Sequence, residues 1–103
     1  EVSLAVAPMF HIFGHHHGVI HPLYIGATHV IVRQYKPDIV LEQLSKHKVT
    51  LFAGGPSTVY VGILAAEGIK TADLSNLKIC CAGSSPLSED LLTNWEKTTG
   101  CPI

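Results

Sequence analysis

Charge is what this sequence has least of. Asp, Glu, Lys and Arg make up 15% of its 103 residues, against about a quarter in ordinary soluble domains. None of the four occurs between Val2 and Val32. With 7 basic residues against 8 acidic ones, there is no basic footprint for nucleic acid. Apolar residues reach 47%, which excludes intrinsic disorder. Cysteine is sparse too: there are 3, with no CxxC spacing, so neither a disulfide framework nor an oxidising compartment is indicated, and a reducing cytosol is the expected home. No basic segment leads an apolar run at the start, and no secretory signal is expected.

The uncharged span must first be tested as a membrane helix, because about 20 consecutive apolar residues cross a bilayer. It fails. Pro8, Pro22, Gly14, Gly18 and Gly26 interrupt it, and His11, His15, His16, His17, His21 and His29 would all have to enter hydrocarbon. A segment buried inside a larger protein fits better, and no transmembrane segment is expected. Size points the same way. At 11.1 kDa the folded surface scales to ~5,600 Å² against ~16,000 Å² unfolded, roughly 65% burial. That supports one core over residues 1–103 without an internal boundary, and leaves no room for a complete multi-substrate enzyme with a lid.

Apolar runs rich in β-branched residues alternate with helical patterns. Val2–Ala7 reads as a strand ending at Pro8, and Gly14–Tyr24 as a short helix. Gly26 and Ala27 lead into a strand over Thr28–Val32. Pro37 suits a first helical turn, with Ile39, Val40, Leu41 and Leu44 as its apolar stripe and an end near Lys46–Lys48. Val49–Ala53 is the third strand, Thr58–Ala66 a helix closed by Gly68, and Leu77–Ala82 the fourth strand. On that strand the adjacent Cys80 and Cys81 point to opposite faces. Ser88 caps a last helix to Thr99, with Glu89 and Asp90 in its first turn and Gly100 beyond its end. This alternation predicts a three-layer α/β fold with right-handed βαβ crossovers and a mostly parallel sheet. The near-continuous apolar strands suit a sheet covered on both faces.

In such sheets ligands lie beyond the carboxyl ends of the strands. That selects the loops after Ala7, Ala53 and Ala82. The first carries Pro8-Met9-Phe10-His11-Ile12-Phe13-Gly14, an imidazole framed by two aromatics that can orient a carboxylate or a planar ligand. The plain alternative is a histidine that only caps the following helix. The loops Gly54-Gly55-Pro56-Ser57-Thr58 and Gly83-Ser84-Ser85-Pro86-Leu87 offer exposed backbone N–H groups at helix starts, and tight βα turns use small residues without any function. Neither is a P-loop or a nucleophile elbow. The pairs His11/His15 and His17/His21 have the i, i+4 spacing of metal ligands, but no carboxylate accompanies them. No metal site is expected; a histidine-rich metal-binding module is the less favoured alternative.

The order and spacing of these motifs decide more than any one of them. Pro8 to Gly14, then Pro22-Leu23 and Gly26-Ala27-Thr28, resembles one segment of the adenylate-forming acyl-CoA synthetases, the AMP-binding superfamily of fatty acid–CoA and 4-coumarate–CoA ligases. The likeness continues through Val49-Thr50-Leu51-Phe52, Gly55-Pro56, Asp73 to Leu77 and Ala82 to Leu87, and ends in Thr99-Gly100-Cys101-Pro102-Ile103. It spans essentially the whole chain.

The resemblance implies an ATP-dependent ligase that turns a fatty or aryl carboxylate into an acyl-adenylate and passes it to coenzyme A. The non-catalytic alternative is a homologue that binds nucleotide without turnover. His11 matches the histidine beside the activated carboxylate, and Gly83, Ser84, Ser85 and Pro86 match the loop against adenine and acyl group. Phe10, Phe13, Gly55, Thr58, Tyr60, Val61 and Leu64 would shape the acyl pocket. Family members usually carry Gly or Ala where Ser84 and Ser85 stand, and many have a second proline within the stretch Gly55-Pro56-Ser57-Thr58. The phosphate loop is expected before Glu1, and the Tyr-Gly-x-Thr-Glu motif that helps hold adenine and Mg2+ after Ile103. The ribose-binding Asp and the lysine of the mobile domain are expected elsewhere as well. The chain is then a central slice of an AMP-binding domain, without Mg2+ ligands, inactive by itself and prone to self-association. The parent enzyme would be cytoplasmic, including at a membrane periphery.

Overall fold

A computed structural model describes residues 1–103. The strands β1 (Val2–Ala5), β2 (Thr28–Ile31), β3 (Leu51–Gly55) and β4 (Ile79–Ala82) form one sheet in the order β2-β1-β3-β4. Every neighbouring pair is parallel. The short apolar runs meet the expectation for a parallel sheet, in which each strand returns by a crossover.

One row of the register, Leu4–Phe52–Cys80, points into the main core. Three helices cover that face: α3 (Pro37–Lys46), α4 (Ser57–Ala65) and α5 (Glu89–Thr99). They contribute Val40, Leu41 and Leu44, then Val59, Tyr60 and Ile63, then Leu91 and Trp95. Tyr60 and Trp95 meet edge to face at 4.8 Å, and Phe52 lies 5.6 Å from Tyr60. Such aromatic pairs add about 0.5–1.5 kcal/mol each beyond the area they bury.

The opposite face presents Ser3, Leu51 and Ile79 in one row and Ala5, Ala53 and Cys81 in the next. Cys80 and Cys81 thus do face opposite sides. A helical segment over 12–25 crosses this face. It consists of α1 (Ile12–His15), a π-helical turn (His16–Ile20) and α2 (His21–Ile25). Pro22 explains the interruption. In an unbroken α-helix its ring would clash with the carbonyl of Gly18; widening the turn, so that the His21 N–H reaches the His16 carbonyl, lets the helix continue past it. Gly26, in the left-handed conformation, ends the segment.

Other boundaries differ from the sequence expectation by a residue or two. β1 stops at Ala5 rather than Ala7, β3 runs on to Gly55, and β4 begins only at Ile79. The helix before Gly68 is not closed by that glycine: it ends at Ala65, Ala66 turns extended, and Gly68 lies inside a 3-10 turn over Glu67–Lys70. Ser88 caps α5 as expected, its hydroxyl accepting the Leu91 N–H at 3.2 Å.

Candidate functional site

The carboxyl ends of β1, β3 and β4 open onto a cavity of about 280 Å³. Its walls include Pro8 and His11 from the first loop, Gly54 and Pro56 from the second and Ser84 from the third. Three loops far apart in sequence therefore converge on one hollow, as the parallel topology requires.

His11 is the N-cap of α1, with its Nδ1 accepting the Phe13 N–H at 3.2 Å. The capping role and the site role are therefore compatible. Because Nδ1 accepts, the neutral ring carries its proton on Nε2, which is left as a donor. The helix starts close beneath the strand end: a Cβ on Gly14 would lie 2.1 Å from the Pro8 carbonyl oxygen. Only glycine allows that approach.

The two small-residue loops are tied together. The Gly83 N–H donates to the Gly55 carbonyl at 2.9 Å, and Ser85 Oγ accepts the Ser57 N–H at 2.9 Å while donating to Ser57 Oγ at 3.2 Å. Tyr60 fixes the strand ends from below. Its hydroxyl donates to the Cys81 carbonyl at 2.6 Å and accepts the Gly54 N–H at 3.3 Å. Burial pushes this phenol well above its ordinary range, so it stays a neutral donor. Ser84 adopts φ +72°, the left-handed region that costs a non-glycine residue about 1–2 kcal/mol. A glycine there would relieve it.

The expected pocket residues separate into groups. Phe13 lies against Gly55 and Gly83: a Cβ on Gly83 would stand 3.0 Å from its ring, and one on Gly55 3.9 Å. Those three residues meet. Phe10 is 95% exposed, and Thr58 is exposed at the start of α4. Tyr60 is wholly buried in the core, its ring packed on Phe52 and Trp95. Val61 and Leu64 lie together on a groove between α4 and α5 with Asp90 and Asn94, away from His11. Helical spacing puts residues 60, 61 and 64 within one arc of about 100° on α4, and only the packed structure separates the buried Tyr60 from Val61 and Leu64 on the groove. Pro86 is exposed beyond the Ser84–Ser85 turn.

A second, more apolar cavity of about 220 Å³ was not expected from the sequence. It lies between the second sheet face and the 12–25 segment, lined by Ser3, Leu51, Ala53, Ile79 and Cys81 and by two imidazoles, His17 and His21. Phe13 leads into this region, its ring 4.4 Å from that of His17. Cys81 Sγ lies 3.9 Å from His17 Nδ1. Burial pushes the Cys81 thiol up and the His17 imidazole down, the latter helped by His16 and His21. Both groups are thus neutral, and either can donate to the other according to the imidazole tautomer. The i, i+4 spacing of His17 and His21 was the available signal. No three His, Cys, Asp or Glu side chains converge as metal ligands. The residues around the first cavity include no carboxylate either, so this chain does not fit Mg2+ there.

Comparison with known proteins gives a consistent set of matches. The AMP-binding enzyme family matches over residues 1–103. The long-chain-fatty-acid–CoA ligase of Bacillus subtilis is 33% identical over 100 residues, covering 97% of this chain and 18% of the relative. The benzoate–CoA ligase of Thauera aromatica is 31% identical, covering 100% of this chain and 20% of its own length. Among solved structures, the anthranilate CoA ligase AuaEII in complex with anthranoyl-AMP superposes with a TM-score of 0.92 at 31% identity, covering 100% of this chain and 20% of that one. The chain thus spans about a fifth of the length of the relatives it matches. None of its helices is long and apolar enough to cross a membrane.

Proposed function

Because this chain belongs to the AMP-binding enzyme family, we propose that it is the central part of an ATP-dependent acyl-CoA ligase acting on a fatty or aryl carboxylate. The observation that carries the reading is the convergence of His11, Gly54, Pro56 and Ser84 on one cavity at the strand ends. The names of the relatives, ligases for long-chain fatty acids and benzoate, support the same class of reaction.

In this reading the substrate carboxylate oxygen attacks the α-phosphorus of ATP, pyrophosphate leaves, and the acyl-adenylate forms. The thiol of coenzyme A then attacks the acyl carbon and AMP leaves. The chain's own contribution is positioning. His11, with Nδ1 occupied by the Phe13 N–H, offers Nε2–H to a carboxylate oxygen. Gly83, Ser84, Ser85 and Pro86 form the small-residue wall for adenine, held in place by the Gly83–Gly55 and Ser85–Ser57 bonds. Phe13 and Gly55 begin the acyl pocket. Alignment of two reactants removes much of the entropic barrier, and fixed donors stabilise the developing charge. Mg2+ would have to be held by residues outside this chain.

A cytoplasmic enzyme of fatty acid metabolism is the matching cell setting. All cysteines are free, including Cys80 and Cys101 with sulfurs 3.7 Å apart, which supports a reducing compartment.

The test is carboxylate-dependent ATP–pyrophosphate exchange by the full-length enzyme, over acids from acetate to palmitate plus coumarate, beside this chain alone. Exchange by the enzyme and silence from the chain are expected. His11→Ala in the enzyme should lower kcat/KM for adenylation by about 10²-fold. Silence with every acid would overturn the assignment, and an unchanged His11→Ala would remove His11 from it.

A further inference from the structure

The cavity at the strand ends has one wall that belongs to none of its three loops. Tyr35, in the connection between β2 and α3, lines it beside Val59 of α4. The Tyr35 hydroxyl donates to the Val59 carbonyl at 3.0 Å. A carbonyl only accepts, so the direction of this bond is fixed. Burial pushes the phenol above its ordinary value, and it stays a donor. The ring fits because α4 is notched at Gly62: a Cβ there would lie 2.5 Å from the Tyr35 hydroxyl and 3.3 Å from Pro37 Cγ. Glycine inside a helix weakens it, and here it admits the tyrosine.

The bond lands on the first turn of α4. In that turn the Val59 N–H reaches back to the carbonyl of Pro56, itself a wall of the cavity, at 3.0 Å. Two residues before Val59, the Ser57 N–H donates to Ser85 Oγ at 2.9 Å. Pro56 stands at the N-cap and no side chain of the helix caps it. The turn is therefore gripped from outside, by Ser85 at an N–H and by Tyr35 at a carbonyl. We infer that Tyr35 is a positioning residue for the nucleotide: through the first turn of α4 it holds Ser57, and through Ser57 it holds the Ser84–Ser85 turn that, on the ligase reading above, forms the wall for adenine. His11 stands on the first loop, outside this series of contacts, so losing the Tyr35 bond should cost ATP binding and spare the acid.

The experiment is pyrophosphate exchange by the full-length enzyme, with KM measured separately for ATP and for the acid it uses best. Tyr35→Phe keeps the ring against Gly62 and removes the donor. It should raise KM for ATP about 5-fold, the worth of one hydrogen bond, and leave KM for the acid unchanged. Ser85→Ala should act alike, and the double variant should rise no further than the larger single effect, because the two residues act in series. Gly62→Ala drives the hydroxyl away and should also raise KM for ATP. In the Tyr35→Phe background it should add little, since the ring carbon that bore the hydroxyl would stand 3.7 Å from the new Cβ. An unchanged KM for ATP in Tyr35→Phe, with or without a fall in kcat, would overturn the inference, and so would effects of Tyr35→Phe and Ser85→Ala that add in full. Either result leaves the ligase reading intact. No exchange by wild type with any acid of the series would instead overturn the ligase reading, and this inference with it.

Discussion

Single atoms decide whether the site can form, and Gly14 shows how. Replacing a helical glycine with alanine ordinarily gains up to about 1 kcal/mol from propensity. Here the new Cβ would lie 2.1 Å from the Pro8 carbonyl and 2.6 Å from that of Ala7. Both atoms are backbone, so the helix start must move away from β1, and overpacking of this kind costs about 3 kcal/mol. Sterics therefore outweigh propensity. Gly14→Ala is expected to lower the thermal midpoint by more than about 10 °C, and a raised midpoint in thermal unfolding would show that the approach is not so close. At this scale the sequence was partly legible. It exposed His11 and the small-residue loops, because unusual residues at strand ends are visible without coordinates. It could not show that Gly54 makes room for the Tyr60 ring, or that His17 would meet Cys81, because both contacts join residues from separate elements.

At the scale of elements, every strand and major helix was legible, since hydrophobic period and capping residues are local properties. The π-helical turn was not, because proline reads from sequence as a break, while packing against the sheet makes widening the turn cheaper than ending the helix. Similarly, apolar residues surround α4 so evenly that the pattern did not reveal which flank was buried. The contact of β1 with β2 makes a pH prediction. His29 donates or accepts through Nδ1 with Ser3 Oγ at 2.7 Å, while its Nε2 is buried without a partner. Burial holds this imidazole below its usual value, so the unfolded chain takes up the proton first as pH falls. Stability is therefore full above about pH 6.5 and declines as pH drops below it. His17 adds in the same direction. Urea midpoints at pH 7.5 and 5.5 test this: wild type should lose stability at the lower pH, and His29→Asn should lose less. Equal losses in the two proteins would absolve His29.

For the whole molecule, what matters is that one sheet face is closed and the other is not. The radius of gyration is 12.4 Å, close to the ~13 Å expected for a compact chain of this length. Yet the accessible surface is 6117 Å², above the ~5,600 Å² expected from mass. The excess does not come from a loose chain. It comes from apolar groups left uncovered around the second face, with Ile31 67% and Ile79 58% exposed on the sheet and Leu23 78% exposed on the crossing helix. Low charge over Val2 to Val32, which first suggested a buried segment, has the same origin: those residues form β1, the crossing helix and β2, the part with most uncovered apolar surface. Contiguous patches of this kind drive association. Alone, the chain is expected to sediment as dimers or larger species at tens of micromolar, and Ile31→Lys with Ile79→Lys should shift it towards monomer. In the longer ligase proposed above the same pair should lower the thermal midpoint, because a face covered by further chain would then hold charges that must be desolvated. A monodisperse monomer of the unsubstituted chain would mean that this face is stable in water, and an unaltered midpoint in the longer protein would mean that nothing covers it there.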